Sequence, residues 1–522
     1  MRIVHPTLLA FFFCSGTANA QIAFGGRPYS FTHTLQQAPV VTMPEVDVAA
    51  LVAEDEAREA SGIKGPWRFG FNHAVDLDLH NSGAWEQLSN GDRLWRLTLE
   101  CPGALSINLE FHDYVVPEGG RVFIFNDAGD HLGAFTAESN PGHTILGVTQ
   151  IAGERITIEY HEPAEVAGEG QLRIGQVTHG YRDVLGQFRD LGDSGSCNRN
   201  VICPQGDLWR DQIRSVALIT VGGSAMCTGQ LINNCEEDGT PYFLTARHCI
   251  FGSVNSWVFR FNWDSPQCAQ NMNGPTGQTV SGATLKVQNS ATDVALLELN
   301  SVPPAAYDVF YTGWDRSPSP PSSVVGIHHP SGDVKKISHE DQAVTATTQS
   351  GGTSGNLNYW KVAAWDDGTT EGGSSGSGLW SNNGLLIGQL WGGQASCSFN
   401  FNDYYGRFDL SYTHLAPWLG QCGDQLQGYP LSGTSVVEEN KPLEGSIIFP
   451  NPTTGELTIT LPKGLNGTHM RIFDGTGRMV MEHGFQSDGN LNVDLAHLQD
   501  GVHFIQLIGE GYNRTERVVL SR

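Results

Sequence analysis

Positive charge is scarce in this 522-residue chain. Thirty Lys and Arg stand against 55 Asp and Glu, for a formal net charge of −25. A surface this acidic argues against nucleic acid and anionic membranes as partners, and it tolerates cationic substrates. Charged residues of both signs make up only 16%, too few for a disordered or coiled-coil chain. Long hydrophobic runs are missing as well, so no segment reads as a membrane span in the mature form. No two cysteines have CxxC spacing, which sets aside zinc and redox motifs in favour of disulfides. Lysine is absent between Lys64 and Lys286. There is no short-period internal repeat.

Glycine (63 residues) and tryptophan (12) are plentiful instead. With Asn, Ser and the other aromatics they point to strands and tight turns rather than helices. The length suggests about three or four domains. Residues 1–20 read as a secretory signal peptide: Arg2 and His5 precede the apolar run Leu8–Phe13, and Ala18-Asn19-Ala20 supplies small residues before the cut. The mature protein is then exported and its cysteines can pair. Residues 21–60 predict a loosely ordered lead-in. From about 66 to 165, runs such as Leu94–Glu100, Leu105–Phe111, Arg121–Phe125 and Arg155–Tyr160 alternate apolar and polar residues, the pattern of a β-sandwich. Residues 166–196 predict an exposed connector, and 422–445 have a linker composition. Residues 446–522 carry four more short alternating strands, enough for a small immunoglobulin-like sandwich.

Without Cys14 of the signal, nine cysteines remain, eight of them between 197 and 422. Their connectivity is open from spacing alone. Cys101 is the odd one and predicts a buried free thiol.

Three segments between 197 and 421 carry chemistry when taken together. In Tyr242–Cys249 (YFLTARHC) an apolar strand ends in His248 and then a Cys whose disulfide would fix the backbone of a general base. In Thr292–Leu299 (TDVALLEL), Asp293 opens an apolar strand. In Glu371–Gly378 (EGGSSGSG), small residues allow a sharp turn that exposes a hydroxyl and aims backbone N–H groups at an oxyanion. Alone, each has a bland reading: a structural His, a strand-opening Asp, a flexible loop. Their order His, Asp, Ser is that of chymotrypsin-like enzymes, and no GxSxG elbow favours an α/β-hydrolase.

These segments resemble a trypsin-like serine protease, and more closely the bacterial lysyl endopeptidase family. The resemblance covers about 197–421. It is carried further by Ser196-Cys197, Cys203-Pro204, Cys227-Thr-Gly, Gly313–Arg316, Ile327–Pro330, Gly373–Ser377, Gly388-Gln-Leu, Ser396–Ser398 and Tyr405-Gly-Arg407. It implies Ser375 as nucleophile, His248 as general base, Asp293 as the group orienting the imidazole, and the N–H groups of Gly373 and Ser375 as oxyanion hole. Ser374 and Ser377 are the competing hydroxyls. It also implies the disulfides Cys197–Cys397, Cys203–Cys268 and Cys227–Cys249, leaving Cys235 and Cys422 to pair with each other. His328-His329 invites a metal reading, but neighbours on a strand face opposite ways, so a structural loop is expected, with no metal or other cofactor.

The position six residues before Ser375 is Thr369, so the usual pocket acid of trypsin-like enzymes is absent. In the lysyl endopeptidases the acid instead precedes the Tyr-Gly-Arg segment, which here makes it Asp403; the alternative is an exposed turn beside Asn402. Trp391 stands where the family commonly has His in its substrate-binding segment, and no Trp lies between 345 and 355 to match the family's second pocket-side Trp. The expected specificity is therefore Lys, and also Arg. The tail segments Phe449–Gly455, Met470–Gly477 and Leu498–Phe504 resemble the C-terminal sorting domain of type IX secretion, which implies that machinery as a partner and an extracellular or surface destination.

The expected architecture is all-β: a chymotrypsin-like double β-barrel protease domain (191–421) flanked by an N-terminal β-sandwich propeptide (21–190), a linker (422–445) and the C-terminal immunoglobulin-like β-sandwich (446–522). Protein or peptide substrates follow. The rivals from other classes are an inactive protease-like adhesin and a glutamyl-specific relative; intact His248, Asp293 and Ser375 weigh against the first and Asp403 against the second. Ser374 replaces the Asp that pairs with a new N-terminal amine in ordinary zymogens, so activation requires loss of the 21–190 region without that switch. The connector holds Arg173, Arg182 and Arg189 but no Lys. Cleavage near Arg189 is predicted: N-terminal sequencing of the mature enzyme should start at Asp190 or nearby, and a start far from it would refute the assignment.

Overall fold

In the computed structural model, residues 23–60, 65–186, 194–269, 272–430 and most strands of 448–522 are described. The expected signal peptide and the expected cleavage near Arg189 fall outside the described residues. The chain divides into two compact units, Met1–Ser432 and Gly433–Arg522. Among the described residues no helix is long and apolar enough to cross a membrane.

The first unit begins with a two-sheet sandwich. One sheet runs Val40–Thr42, Arg93–Glu100, Arg155–Glu162, Arg121–Asn126, His131–Phe135, with Ala84–Gln87 beside Arg93–Glu100; the other runs Ile151–Ala152, Ser106–Val115, Gln171–Gly180, Gly70–Asp78, with Leu146–Gly147 beside Ser106–Val115. Alternating residues such as Leu97, Leu99, Ile107, Leu109, Ile156 and Ile158 meet between them in one buried core. Cys101 is buried in this core with no disulfide, and burial, with the charge of Glu100 adding to it, pushes its thiol up to about 12.

Two stretches differ from the sequence expectation. Val48–Ala60 is a helix, not a loose lead-in; the Asp47 carboxylate accepts the Ala50 amide at 3.0 Å, and Ala and Glu favour the helical state. Gln171–Gly180 is a central strand rather than exposed connector. Its glycines mimic turn signals, but Gly175 sits under the His112 ring, where a Cβ would come within 2.1 Å of Nδ1.

The protease-like part holds an eight-stranded sheet, ordered Thr279–Ser281, Val258–Phe261, Val216–Val221, Ala225–Leu231, Tyr242–Ala246, Val294–Leu299, Ala283–Asn289, with Trp67–Arg68 of the N-terminal region beside Ala225–Leu231, and a ten-stranded one built mainly from residues 324–407. Each closes over its own apolar core. A third cluster, including Leu244, Leu296, Ile327, Trp380 and Phe408, joins them under the helix Phe408–Leu419. The segment expected as linker begins later than 422: Gln425–Leu426 and Tyr429–Pro430 pair with Trp314–Asp315 and Phe310–Tyr311, and Cys422 is bonded to Cys235. The sandwich region meets the first barrel through an apolar cluster, Trp67, Phe69, Val184 and Leu185 against Leu218, Met226 and Trp263, and through polar contacts. Asn72 and Asn108 donate to the carbonyls of Gly222 and Gly223 at 2.8 and 2.9 Å, and the Arg260 guanidinium reaches Thr149 and Gln150 at 2.8 and 2.9 Å.

The second unit has a three-stranded and a four-stranded sheet, with Leu457, Ile459, Met470, Ile472, Val493 and Ile505 in its core.

His73 and His179 are buried in the N-terminal sandwich with ring centroids 6.4 Å apart, and burial lowers both from 6.5. A folded-state value below the unfolded one means that the unfolded chain binds more protons as pH falls through 6.5, so stability is lost on acidification. The melting temperature of this region is expected to drop between pH 7 and 5, and replacing both histidines by Phe should flatten that slope.

Candidate active site

His248 lies on the short turn Arg247–Cys249 that ends strand Tyr242–Ala246. Asp293 caps the neighbouring strand Val294–Leu299 with φ +56°, a left-handed conformation that Asp tolerates. From there its carboxylate accepts the His248 amide at 3.0 Å and meets Nδ1 at 2.6 Å. Nδ1 must carry the proton in that bond, which leaves Nε2 as the basic nitrogen. The Arg247 amide also donates to the Asp293 carbonyl at 2.7 Å, so the two segments are tied three times.

Ser375 sits between Gly373 (φ +88°) and Gly376 (φ +85°). Gly376 admits no side chain, since a Cβ would lie 2.4 Å from the Thr228 carbonyl oxygen. Thr228 anchors the loop. Its amide donates to the Ser375 carbonyl and its hydroxyl to the Gly373 carbonyl, both at 2.9 Å. The same hydroxyl accepts the His329 amide at 3.1 Å, and the Thr228 carbonyl accepts the Thr245 hydroxyl at 2.8 Å. The Cys227–Cys249 disulfide joins the strand before Thr228 to the residue after His248, and Cys249 Sγ lies 3.9 Å from the Ser375 carbonyl oxygen. Ser375 Oγ and His248 Nε2 have no hydrogen-bond partner among the described residues.

The rival hydroxyl Ser374 is engaged elsewhere. Its Oγ meets His328 Nδ1 at 2.8 Å and accepts the Glu371 amide at 3.2 Å. His328 ends strand Val324–His328 rather than lying in a loop, and its Nε2 meets Ser338 Oγ at 3.1 Å. His329 faces the other way and stacks on Trp263. Glu371 is a second anchor that the sequence did not single out. It accepts the Gly195 amide at 3.0 Å, Asn198 at 3.2 Å and the Ser331 hydroxyl at 3.0 Å. The serine loop is thereby tied to Gly195 and Asn198 at the start of the protease part. Cys197–Cys397 closes the same corner, and Cys203–Cys268 lies beside it.

Asp403 is fully buried on strand Phe401–Arg407, opposite Val362 and Gly393. It accepts the Trp365 indole N–H at 2.8 Å and the Thr370 hydroxyl. Both are neutral, so they solvate the carboxylate without cancelling its charge. Trp365 lies ten residues beyond the 345–355 interval. The Trp391 ring is half-buried, 6.0 Å from Tyr359 and 6.3 Å from Tyr404.

Residues 191–406 match the family model for the lysyl endopeptidase C-terminal domain, and 447–521 match that for the secretion system C-terminal sorting domain. The middle of this chain is a trypsin-like serine protease domain of the lysyl endopeptidase family. Its tail is a type IX sorting domain. A lysyl endopeptidase of Pseudomonas aeruginosa is 29% identical over 364 residues, which span 64% of this chain and 77% of that protein. Among solved structures, a Glu endopeptidase in complex with MPD is 18% identical over 44% of this chain and 99% of its own, with TM-score 0.29. A mutant of human heparin binding protein is 17% identical over 44% and 97%, with TM-score 0.32. The chain is a secreted serine endopeptidase, exported to the cell surface or beyond it.

Replacing Thr228 by Val removes the hydroxyl that holds the Gly373 and His329 backbones in the protease domain. The variant is expected to lose about 1–3 kcal/mol of stability and to lower kcat while leaving KM nearly unchanged, measured by denaturant melts and steady-state kinetics.

Proposed function

We propose that this endopeptidase cuts on the carboxyl side of Lys, and also Arg, through Ser375, His248 and Asp293. The observation that carries the reading is the two-point grip of Asp293 on His248, made beside a serine turn pinned to the same strand system. Ser375 Oγ attacks the scissile carbonyl. His248 Nε2 takes its proton, then gives it to the leaving amine, and a water repeats the sequence on the acyl-enzyme. Asp293 fixes the tautomer and stabilises the imidazolium. The N–H groups of Gly373 and Ser375 receive the oxyanion.

Asp403 is the pocket acid in this reading. A fully buried carboxylate whose Oδ2 accepts the neutral Trp365 and Thr370 donors keeps its negative charge and favours a substrate cation. Trp391 lies on the rim as a substrate-facing aromatic. The 21–190 region is the propeptide, and the 446–522 module is removed or used as an anchor after export.

Cleavage-site profiling on a denatured protein mixture tests the whole assignment. Cuts after Lys and Arg are expected, with none from Ser375→Ala. Asp403→Asn should lower kcat/KM for Lys substrates about 100-fold or more. Cuts after Glu, or full activity in Ser375→Ala, would overturn the reading.

A further inference from the structure

The N-terminal region does more than cover the protease domain: it enters the cleft. The Gly373 amide, assigned to the oxyanion hole, donates at 3.2 Å to the carbonyl of Gly65. From there the chain runs antiparallel to Ala225–Leu231, with Trp67 opposite Met226 and Arg68 opposite Ala225, and the Phe69 amide donates to the Ser224 carbonyl at 2.9 Å. A carbonyl in the oxyanion hole, followed by an extended strand paired to the wall that carries the Cys227–Cys249 bridge, is how the leaving-group half of a substrate would lie.

We propose that Gly65–Arg68 occupies the leaving-group side of the cleft in the direction of a substrate, keeping the intact chain latent, and that the seat of Trp67 becomes, on processing, a subsite for an aromatic side chain at the second residue beyond the cut. The proposal rests on the reading of Gly373 and Ser375 above.

The strand is built to bind without being cut. Gly65 presents no side chain to the Asp403 pocket, so the interaction that favours reaction is missing. The following nitrogen belongs to Pro66, a tertiary amide with no N–H and a ring on the leaving-group side. A cavity of about 500 Å³ stays open beside the strand, bounded by Gly65, Trp67, Glu371, Gly393, Ala395 and Ser396; Gly393 is paired with Asp403, so the open space lies on the specificity side.

The Trp67 ring is nearly fully buried. Glycines make room for it: a Cβ at Gly332 would come within 2.5 Å of the ring, and one at Gly373 within 3.4 Å of the Trp67 Cβ. The Met226 sulfur borders the same space and suits an aromatic face. Arg182 covers the ring from the propeptide side at 4.6 Å. Behind the strand, Asp55 of the helix Val48–Ala60 binds Arg68 Nε at 2.9 Å and the Tyr181 hydroxyl at 2.7 Å, holding Arg68 in place. Because the strand is tethered, its effective concentration is high and modest contacts suffice to occupy the cleft.

The test uses the full chain, verified intact by mass, and a lysine-bearing phosphonate that labels an active serine. Labelling of the intact chain is expected to be at least about tenfold slower than after removal of the N-terminal region, and Trp67→Ala or Asp55→Ala should raise the intact-chain rate by about the same factor. The processed enzyme should prefer Trp over Asp at the second residue beyond Lys by about tenfold. Wild-type labelling in the intact chain as fast as in the processed enzyme would overturn the proposal. So would two folded variants that label at the wild-type rate, or a processed enzyme indifferent to that residue. Labelling that survives Ser375→Ala would instead overturn the site assignment itself.

Discussion

Thr228 is the joint on which the protease domain turns. One backbone amide and one hydroxyl on the central strand Ala225–Leu231 hold two successive points of the serine loop, and the carbonyl of the same residue holds the strand that delivers His248. His248 and Ser375 come from different sheets. Their relative position is therefore only as fixed as the seam between those sheets, and a residue that bonds to both sides is what makes the seam rigid. The disulfide from the adjacent Cys227 adds a covalent tie at the same place. Glycine at 376 follows from this closeness, because the Thr228 carbonyl fills the space a side chain would take.

The contact between the N-terminal sandwich and the barrel is of another kind. Amides of Asn72 and Asn108 against backbone carbonyls, and a guanidinium against Thr149 and Gln150, all exchange readily with water once the surfaces part. Arg260 is completely buried there, and its guanidinium is lowered to about 10 by that burial. That burial is a desolvation cost which the bonds to Thr149 and Gln150 offset in part. The apolar cluster around Trp67 and Met226 works the other way, so the contact combines a hydrophobic seat with polar bonds that water can replace.

The site was legible where chemistry is local in the chain. His248 before a Cys, Asp293 opening an apolar strand and a Gly/Ser turn each occupy a few consecutive residues, and the family resemblance orders them. The supports were hidden because they are made by pairing across long sequence distances. Nothing in a Thr beside Cys227, a Glu at 371 or a His at 328 announces a bond to a partner 145, 176 or 46 residues away. Trp365 was missed for a similar reason: the strand register, not spacing to any motif, carries it to Asp403. In the fold, alternating strands were plain. The helix Val48–Ala60 was obscured by its polar residues although Asp47 caps it, and strand Gln171–Gly180 by glycines that serve close packing rather than turning.

The unpaired Cys101 bears on how four disulfides come to form correctly. Thiol exchange proceeds through the thiolate, and a thiol pushed up to about 12 in an apolar core is neither ionised nor reachable. Once the N-terminal sandwich has closed, the odd cysteine is withdrawn from the oxidising milieu, and the remaining eight form an even set. In the folded chain the odd thiol is thus walled off from the eight cysteines that pair.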